Sequence, residues 1–341
     1  MQTRRLAILH IGGEKTGSTT LQCTLAANRK ALAAEGILYS RVAGPENHIL
    51  LALHATAGWG SGDLRAMAGL TDDDAFAEFL DTFPDRLREE AEASGARVFV
   101  YSNEHLSSRI RDAEGVRRLW ALLGPVADEI RIAYYARPQE ELVASGWSTM
   151  VKSGSAAPFD LDHLLRHGTP LDHHQVLDRW GAFFADPYWI LRPYQRQAMA
   201  GGDIVEDFLV ATGIPAGAVP RRIAMRNRSL DAVTAEFLRL YNAATGAEPG
   251  NPRTPARGQL VALLEALSDG PPVRLGPEQA AEVAARFAAG NGAVARRLLG
   301  RDALFLPSPP VPAEPPRLTA EEAVRIAAEL WRVAQERPPP P

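Results

Sequence analysis

The sequence predicts an α/β protein: a central parallel sheet with helices on both faces, a three-layer α/β/α arrangement, followed by a helical C-terminal region. Three observations carry this. Short apolar runs alternate with stretches of helical period through the N-terminal part of the chain, which is the pattern of strand–helix–strand units. Each informative apolar run breaks into polar residues, with Lys15 after the first, Glu104 after the second and Arg137 after the third. In open parallel sheets ligands sit outside the carboxyl ends of the strands, which is the edge those residues mark. Finally, the stretch HIGGEKTGSTTLQ, residues 10–22, follows the first apolar run directly and is dense in glycine and hydroxyl groups.

In chain order, residues 4–11 (RRLAILHI) read as a buried strand stopped at Gly12-Gly13. A helix starts near Ser18 or Thr19, carries Leu21, Leu25 and Leu32 on one side, and ends at Gly36 as a C′ glycine. GILYSRV is a short strand or extended segment, and residues 45–60 are helix then turn. An amphipathic helix ends at Gly95, and a strong buried strand follows at 97–101. Residues 113–123 are helical, 130–136 form the next buried strand, and Pro138 opens a helix over 139–152. PYWILRPY, around 187–194, is a further strand, and GGDIVEDFLVATGI is a helix closed by Gly213. Residues 229–246 and 277–299 are amphipathic. The segment 307–317 is a proline-rich linker. The last helix, 319–336, opens with a capping box from Thr319 to Glu322. This gives a domain over 1–306, the linker, and a C-terminal helix with proline tail over 318–341.

Composition narrows the function classes. A chain of 341 residues can bury a large core, and 46% hydrophobic with 23% charged residues is ordinary for a globular protein. A net charge of −4 argues against a general nucleic-acid binder. The single cysteine, Cys23, excludes an intrachain disulfide and a multi-cysteine zinc site, and fits a reducing compartment. Lys15 and the glycines cut the first apolar stretch too short for a secretory leader, and no run of roughly 18 apolar residues predicts a membrane span. The expected location is the cytoplasm.

A strand, a glycine-rich turn and a helix N-terminus make an anion site, because the first-turn N–H groups point outward and the helix dipole favours negative charge. The Walker form, G-x-x-x-x-G-K-[ST], fails here: Lys15 precedes Gly17, and Ser18 follows Gly17 with no lysine between. No clear acidic residue ends an apolar strand as a magnesium ligand, unless Glu104 does.

Lys15-Thr16-Gly17-Ser18-Thr19 resembles the 5′-phosphosulfate loop of the PAPS-dependent sulfotransferases. YYARPQEELVASGW resembles the 3′-phosphate segment of the same family, an arginine at a strand end and a serine eight residues on: Arg137 and Ser145. An arginine fork suits a phosphate. LRPYQRQAMAGGDIVEDFLVATGI, RNRSL and FAAGNGAVARRLLGRDALF resemble later segments of bacterial and carbohydrate-type members, so the resemblance spans about residues 5 to 306. It implies a P-loop-NTPase-like fold, PAPS as co-substrate and no metal. Glu14 departs from it, since many members have proline there; a carboxylate beside an anion loop should point outward.

Sulfuryl transfer needs a cation at the leaving oxygen and a base at the acceptor. Lys15 suits the first role, with Gly13, Thr16, Gly17, Ser18, Thr19 and Thr20 supplying backbone and hydroxyl donors. Glu104, just past a buried strand, is the first choice for the base. His105 is the alternative, because glycan-type members use a glutamate there and small-molecule members a histidine. A capping or ion-pair role for Glu104 is the structural alternative. Arg226, Asn227 and Arg228 form a basic knot, read either as a second clamp on the nucleotide or as a solvated patch. His48 is a candidate substrate contact. His10 reads as a packed strand-end residue, His173-His174 as a solvated loop, and Trp59 and Trp147 as core residues or stacking platforms. The acceptor is a small molecule, lipid or glycan bearing a hydroxyl or amine. Two other readings compete: a P-loop kinase using ATP and magnesium, and a non-catalytic nucleotide-binding protein whose proline-rich tail is a docking element.

Overall fold

The computed structural model describes residues 4–57, 62–167, 171–223, 229–246, 255–307 and 317–335. Apolar runs with little polar interruption give strands β1 (Leu6–Gly12), β2 (Ile37–Tyr39), β3 (Val98–Ser102), β4 (Glu129–Ala136) and β5 (Trp189–Pro193). Helices α1 (Ser18–Ala27) and α2 (Arg29–Ala34) lead from β1 to β2. Helices α3 (Ile49–Ala55), α4 (Gly62–Ala68) and α5 (Asp73–Ser94) lead to β3, then α6 (His105–Arg109) and α7 (Ala113–Leu123) to β4. Helices α8 (Gln139–Lys152), α9 (Leu161–His167) and α10 (His173–Gly181) precede β5. After it come α11 (Ile204–Thr212), α12 (Ala232–Thr245), α13 (Pro255–Leu267), α14 (Pro277–Leu299) and α15 (Ala320–Gln335).

The sheet has the order β2-β3-β1-β4-β5 and every pairing is parallel. Alternation along the strands feeds two cores. Leu9, Phe99, Tyr101, Ile132 and Tyr134 face a cluster with Phe83, Leu87, Leu119 and Trp180 of α5, α7 and α10. Ile8, Val100, Ala133 and Tyr135 face the other way, onto Leu21, Leu25, Leu32 and Phe208 of α1, α2 and α11. Burial of each such large side chain contributes about 1.5–3 kcal/mol. The expected α/β/α layering with an all-parallel sheet is present. No helix among the described residues is long and apolar enough to cross a membrane.

Contacts divide the chain into two units. One comprises residues 1–138, 172–226 and 287–307 and holds the sheet; the other comprises 139–171, 227–286 and 308–341. Within the second, Asn242 of α12 donates to the carbonyls of Val151 and Ser155, 2.9 Å each, and ties α12 to the end of α8. The box at α15 forms, with Thr319 N–H donating to Glu322 Oε2 (2.8 Å) and Glu322 N–H to Thr319 Oγ1 (3.2 Å). The segment 308–316 of the proline-rich linker lies outside the described residues.

Two local expectations change. The helix expected from residue 18 to Gly36 is broken at Asn28, whose φ of −109° and ψ of 14° leave the helical region. Its amide donates to Thr24 O and Arg221 O, 2.7 Å each, and its Oδ1 accepts from Arg221 N–H at 3.0 Å. The side chain thus trades helix continuity for a tie to a segment far along the chain. His173 is in the first turn of α10 and 2% exposed, not in a solvated loop.

Candidate functional site: an anion loop at the centre of the sheet

The loop after β1 sits on the central strand, flanked by the carboxyl ends of β3 and β4. The β1–β4 register shifts between His10 and Gly12, where the chain leaves the ladder. Glycine is required twice here. A Cβ on Gly12, whose φ is 77°, would lie 2.6 Å from Glu104 Cα; one on Gly13 would run into the Tyr135 carbonyl oxygen. The loop is therefore wedged between Glu104 on the β3 side and Tyr135 on the β4 side. Thr16 Oγ1 donates to Gly13 O at 2.6 Å and closes the turn.

Lys15 has φ 61° and is the only non-glycine residue with positive φ among the described residues. A side chain in this region costs about 1–2 kcal/mol, and such strain concentrates at functional sites. Gly17, with φ 75°, caps α1 without any side-chain hydrogen bond, and the first turn holds no acidic residue. Left-handed residues interspersed along a turn that runs into a helix start aim successive N–H groups into one concavity, the form of an anion nest. Ser18, Thr19 and Thr20 occupy the first turn of α1.

Arg137, just past β4, reaches this loop. Its Nη1 donates to the Lys15 carbonyl at 2.7 Å, and its guanidinium lies 5.7 Å from the centre of the Tyr194 ring. The hydroxyl of Tyr194 and the side chain of Ile204 in turn close over Gly17. The buried His173 fixes the Arg137 backbone, with Nε2 2.9 Å from Arg137 O and Nδ1 2.7 Å from the Tyr134 hydroxyl. Lys15 and Arg137 thus share one edge of the sheet.

Glu104 stands at the N-terminus of α6 and makes no capping bond with its side chain. Its Oε2 accepts from Gln22 Nε2 of α1 at 2.8 Å. Beside it, His105 Nδ1 lies 4.0 Å from Glu14 Oε1, and Arg109 Nη1 lies 3.7 Å from the same oxygen. The carboxylate at position 14 is thus turned onto α6, which shows how the loop tolerates it.

His48 is 0% exposed and both ring nitrogens are engaged: Nδ1 accepts from Ser102 N–H (3.1 Å), and Nε2 faces Ser40 O (3.0 Å). Burial, with Arg29 adding to it, pushes it down to about 3. It is a neutral brace between β3 and the loop after β2, with no ring nitrogen left for a substrate. His10 is likewise buried and held down at about 3 by desolvation. Ser145 lies half-buried on α8 in the second unit. Trp147 is core there and donates to Ala157 O at 3.3 Å. Arg226, Asn227, Arg228 and Trp59 lie outside the described residues.

No family model, curated protein or solved structure matches this chain.

The site's chemistry therefore rests on its own residues. Among the described residues no group of three or more histidine, cysteine or acidic side chains could hold a metal. Gln22 and Tyr194 were not singled out from the sequence. Gln22 closes the quoted loop motif, one helical turn past Ser18, and Tyr194 follows β5 at the same sheet edge, so position was a usable signal for both.

Proposed function

We propose that the chain is a PAPS-dependent sulfotransferase, moving a sulfuryl group to a hydroxyl or amine of a small-molecule, lipid or glycan acceptor. The observation that carries this reading is the strained Lys15 in a glycine-wedged turn, its carbonyl held by Arg137 and its neighbour Gly12 overlain by Glu104. A nest of N–H groups running into an uncapped helix fits a phosphate-type anion, and the lysine precedes Gly17 as in the sulfotransferase loop rather than the Walker order.

In this reading the loop N–H groups and the hydroxyls of Ser18, Thr19 and Thr20 hold the 5′ end of the nucleotide. The Lys15 ammonium neutralises charge on the oxygen that bridges phosphorus and sulfur. Arg137 belongs to the 3′-phosphate. Glu104 accepts the acceptor's proton as its oxygen or nitrogen bonds to sulfur and the sulfur–oxygen bond to the nucleotide breaks, leaving 3′,5′-ADP. PAPS supplies the activated sulfuryl group; the protein supplies position and charge.

A thermal-shift comparison tests the class. Stabilisation by 3′,5′-ADP in EDTA is expected. Stabilisation by ATP with magnesium alone would point to a kinase instead. No response to either, with Lys15→Ala behaving as wild type, would leave a non-catalytic protein.

A further inference from the structure

A second concavity lies at the opposite edge of the sheet from the anion loop. Its volume is about 770 Å³, inside the range of about 300–1,000 Å³ usual for small-ligand sites. The end of α7, the turn into β4 and the segment between α10 and β5 wall it, and its residues include Trp120, Gly124, Asp128, Glu129, Phe183 and Tyr188. Glu129 opens β4 and pairs in register with Leu6 at the start of β1, so the cavity sits at the amino ends of these strands. The eight residues of β4 span about 25 Å at about 3.3 Å each, which separates this cavity from the loop at the carboxyl edge.

Two features of the wall are not explained by packing. The buried face of α7 is made by Val116, Leu119, Leu122 and Leu123, and Trp120 stands off it at 49% exposed; Tyr188 is 37% exposed. Gly124 has φ −57° and ψ −39°, ordinary right-handed helix, and a Cβ there would meet only the Trp120 carbonyl oxygen, at 3.4 Å. Neither conformation nor crowding demands glycine, and the missing side chain leaves the cavity open beside Trp120. The facing wall is fixed in advance: Trp189 Nε1 donates to Phe184 O at 3.1 Å, and Arg297 Nη2 lies 2.6 Å from Asp186 Oδ1.

Charge in this region is balanced. Glu129 Oε1 lies 2.6 Å from Arg131 Nε and its Oε2 3.4 Å from Arg4 Nη1, while Asp128 Oδ2 accepts from Arg5 N–H at 2.7 Å. Two carboxylates beside the guanidiniums of Arg4 and Arg131 present no net charge to draw in an ion. A wholly apolar ligand would strip water from the carboxylates without replacing it. Each carboxylate has about four acceptor positions, more than these contacts fill, and Trp120 and Tyr188 bring an indole N–H and a phenol hydroxyl. Half-exposed ring faces among acceptors and donors, with no net charge, match a neutral polyhydroxylated ring. Its C–H face stacks on an aromatic face and its hydroxyls donate to the carboxylates.

We propose that this cavity is a binding site for an uncharged carbohydrate, with Trp120 as the stacking platform and Asp128 and Glu129 as hydroxyl acceptors. The assignment does not rest on the sulfotransferase reading. Where both hold, the acceptor is a glycan gripped at a distance from its reacting hydroxyl, and binding energy from such remote contacts can be spent on transfer.

The test uses the full chain with maltose, cellobiose and N,N′-diacetylchitobiose, read by saturation-transfer NMR and tryptophan fluorescence, with arginine amide as a cationic control. At least one disaccharide should bind saturably, with a dissociation constant of about 1 mM or below. Trp120→Leu should weaken that binding at least about tenfold, the effect of losing an aromatic anchor. Gly124→Leu fills the opening and keeps Trp120, and should weaken it as much. The response to 3′,5′-ADP should be the same in both variants as in wild type. No saturable binding of any of the three sugars, sugar affinity unaltered in either folded variant, or binding of arginine amide in their place overturns the proposal. Sugar binding by a chain that does not respond to 3′,5′-ADP supports the carbohydrate site and counts against the sulfotransferase reading, so the two failures are separable.

Discussion

Two loops at the carboxyl edge of the same sheet are built on opposite principles. The segment 40–48, after β2, is pinned by charged side chains. Arg29 donates to the carbonyls of Tyr39, Ser40, Gly44 and Pro45, and Glu90 accepts from Ser40 Oγ and the N–H groups of Arg41 and Val42. The loop 12–17, after β1, is shaped by backbone: two glycines wedged against Glu104 and Tyr135, a left-handed Lys15, and one guanidinium contact to its carbonyl. In the first loop, charge is spent on architecture. In the second, architecture comes from close approach of glycine backbone to Glu104 and Tyr135.

The largest effects that would break this comparison are on turnover. Glu104→Gln should lower transfer about 10²–10⁴-fold, the usual contribution of a general base, with the melting temperature little changed. Retention of more than about a tenth of the wild-type rate would remove Glu104 from the role. Next come effects on stability, which should separate the two loops. Arg29→Met leaves several carbonyls without a donor and should cost roughly 2–3 kcal/mol while nucleotide affinity persists in the folded fraction. Gly13→Ala drives a Cβ into the Tyr135 carbonyl and should cost about 1–3 kcal/mol and abolish nucleotide binding as well. Urea melts with and without 3′,5′-ADP read both quantities; equal behaviour of the two variants would erase the distinction.

The braces around these loops give a pH signature. Burial holds His10 and His48 down at about 3 and His173 at about 4, against 6.5 unfolded. A depressed folded value means the unfolded chain binds protons first as pH falls. The stabilisation is complete above 6.5 and is lost on going from 6.5 towards 4, at up to about 1.4 kcal/mol per pH unit for each histidine. His48→Gln should flatten this slope by one histidine's share in urea melts at pH 6.5, 5.5 and 4.5. An unaltered slope would contradict the burial assigned to His48. The smallest effect has the most telling sign. Lys15→Gly relieves the left-handed strain and should raise stability by about 0.5–1 kcal/mol while transfer is lost, so a gain in melting temperature coincides with loss of function.

Much of this was legible in the sequence. The strands were, because runs such as Leu6–Ile11 and Ile130–Ala136 have little polar interruption; so was the loop, because Gly12-Gly13 and the hydroxyl run admit few other uses. What was not legible depends on distant partners. The break at Asn28 needs the backbone of Arg221, 193 residues away. His48 is a brace because it meets Ser102, 54 residues on, and His173 is buried because Tyr134 of β4 and the Arg137 carbonyl just past it reach it. Local spacing carries no trace of such pairings. Gln22 was in plain sight, but its partners Ser102 and Glu104 reach it only through the parallel register of β1 and β3.

The central claim is that the loop after β1 holds a nucleotide bearing both 5′ and 3′ phosphates. Calorimetric titration in EDTA with 3′,5′-ADP and with 5′-AMP tests it most directly. The account predicts at least about tenfold tighter binding of 3′,5′-ADP, equivalent to about 1.4 kcal/mol, with that advantage lost in Arg137→Ala and binding of both lost in Gly13→Ala. Equal affinity for the two nucleotides, or binding unaffected by Gly13→Ala, would contradict it.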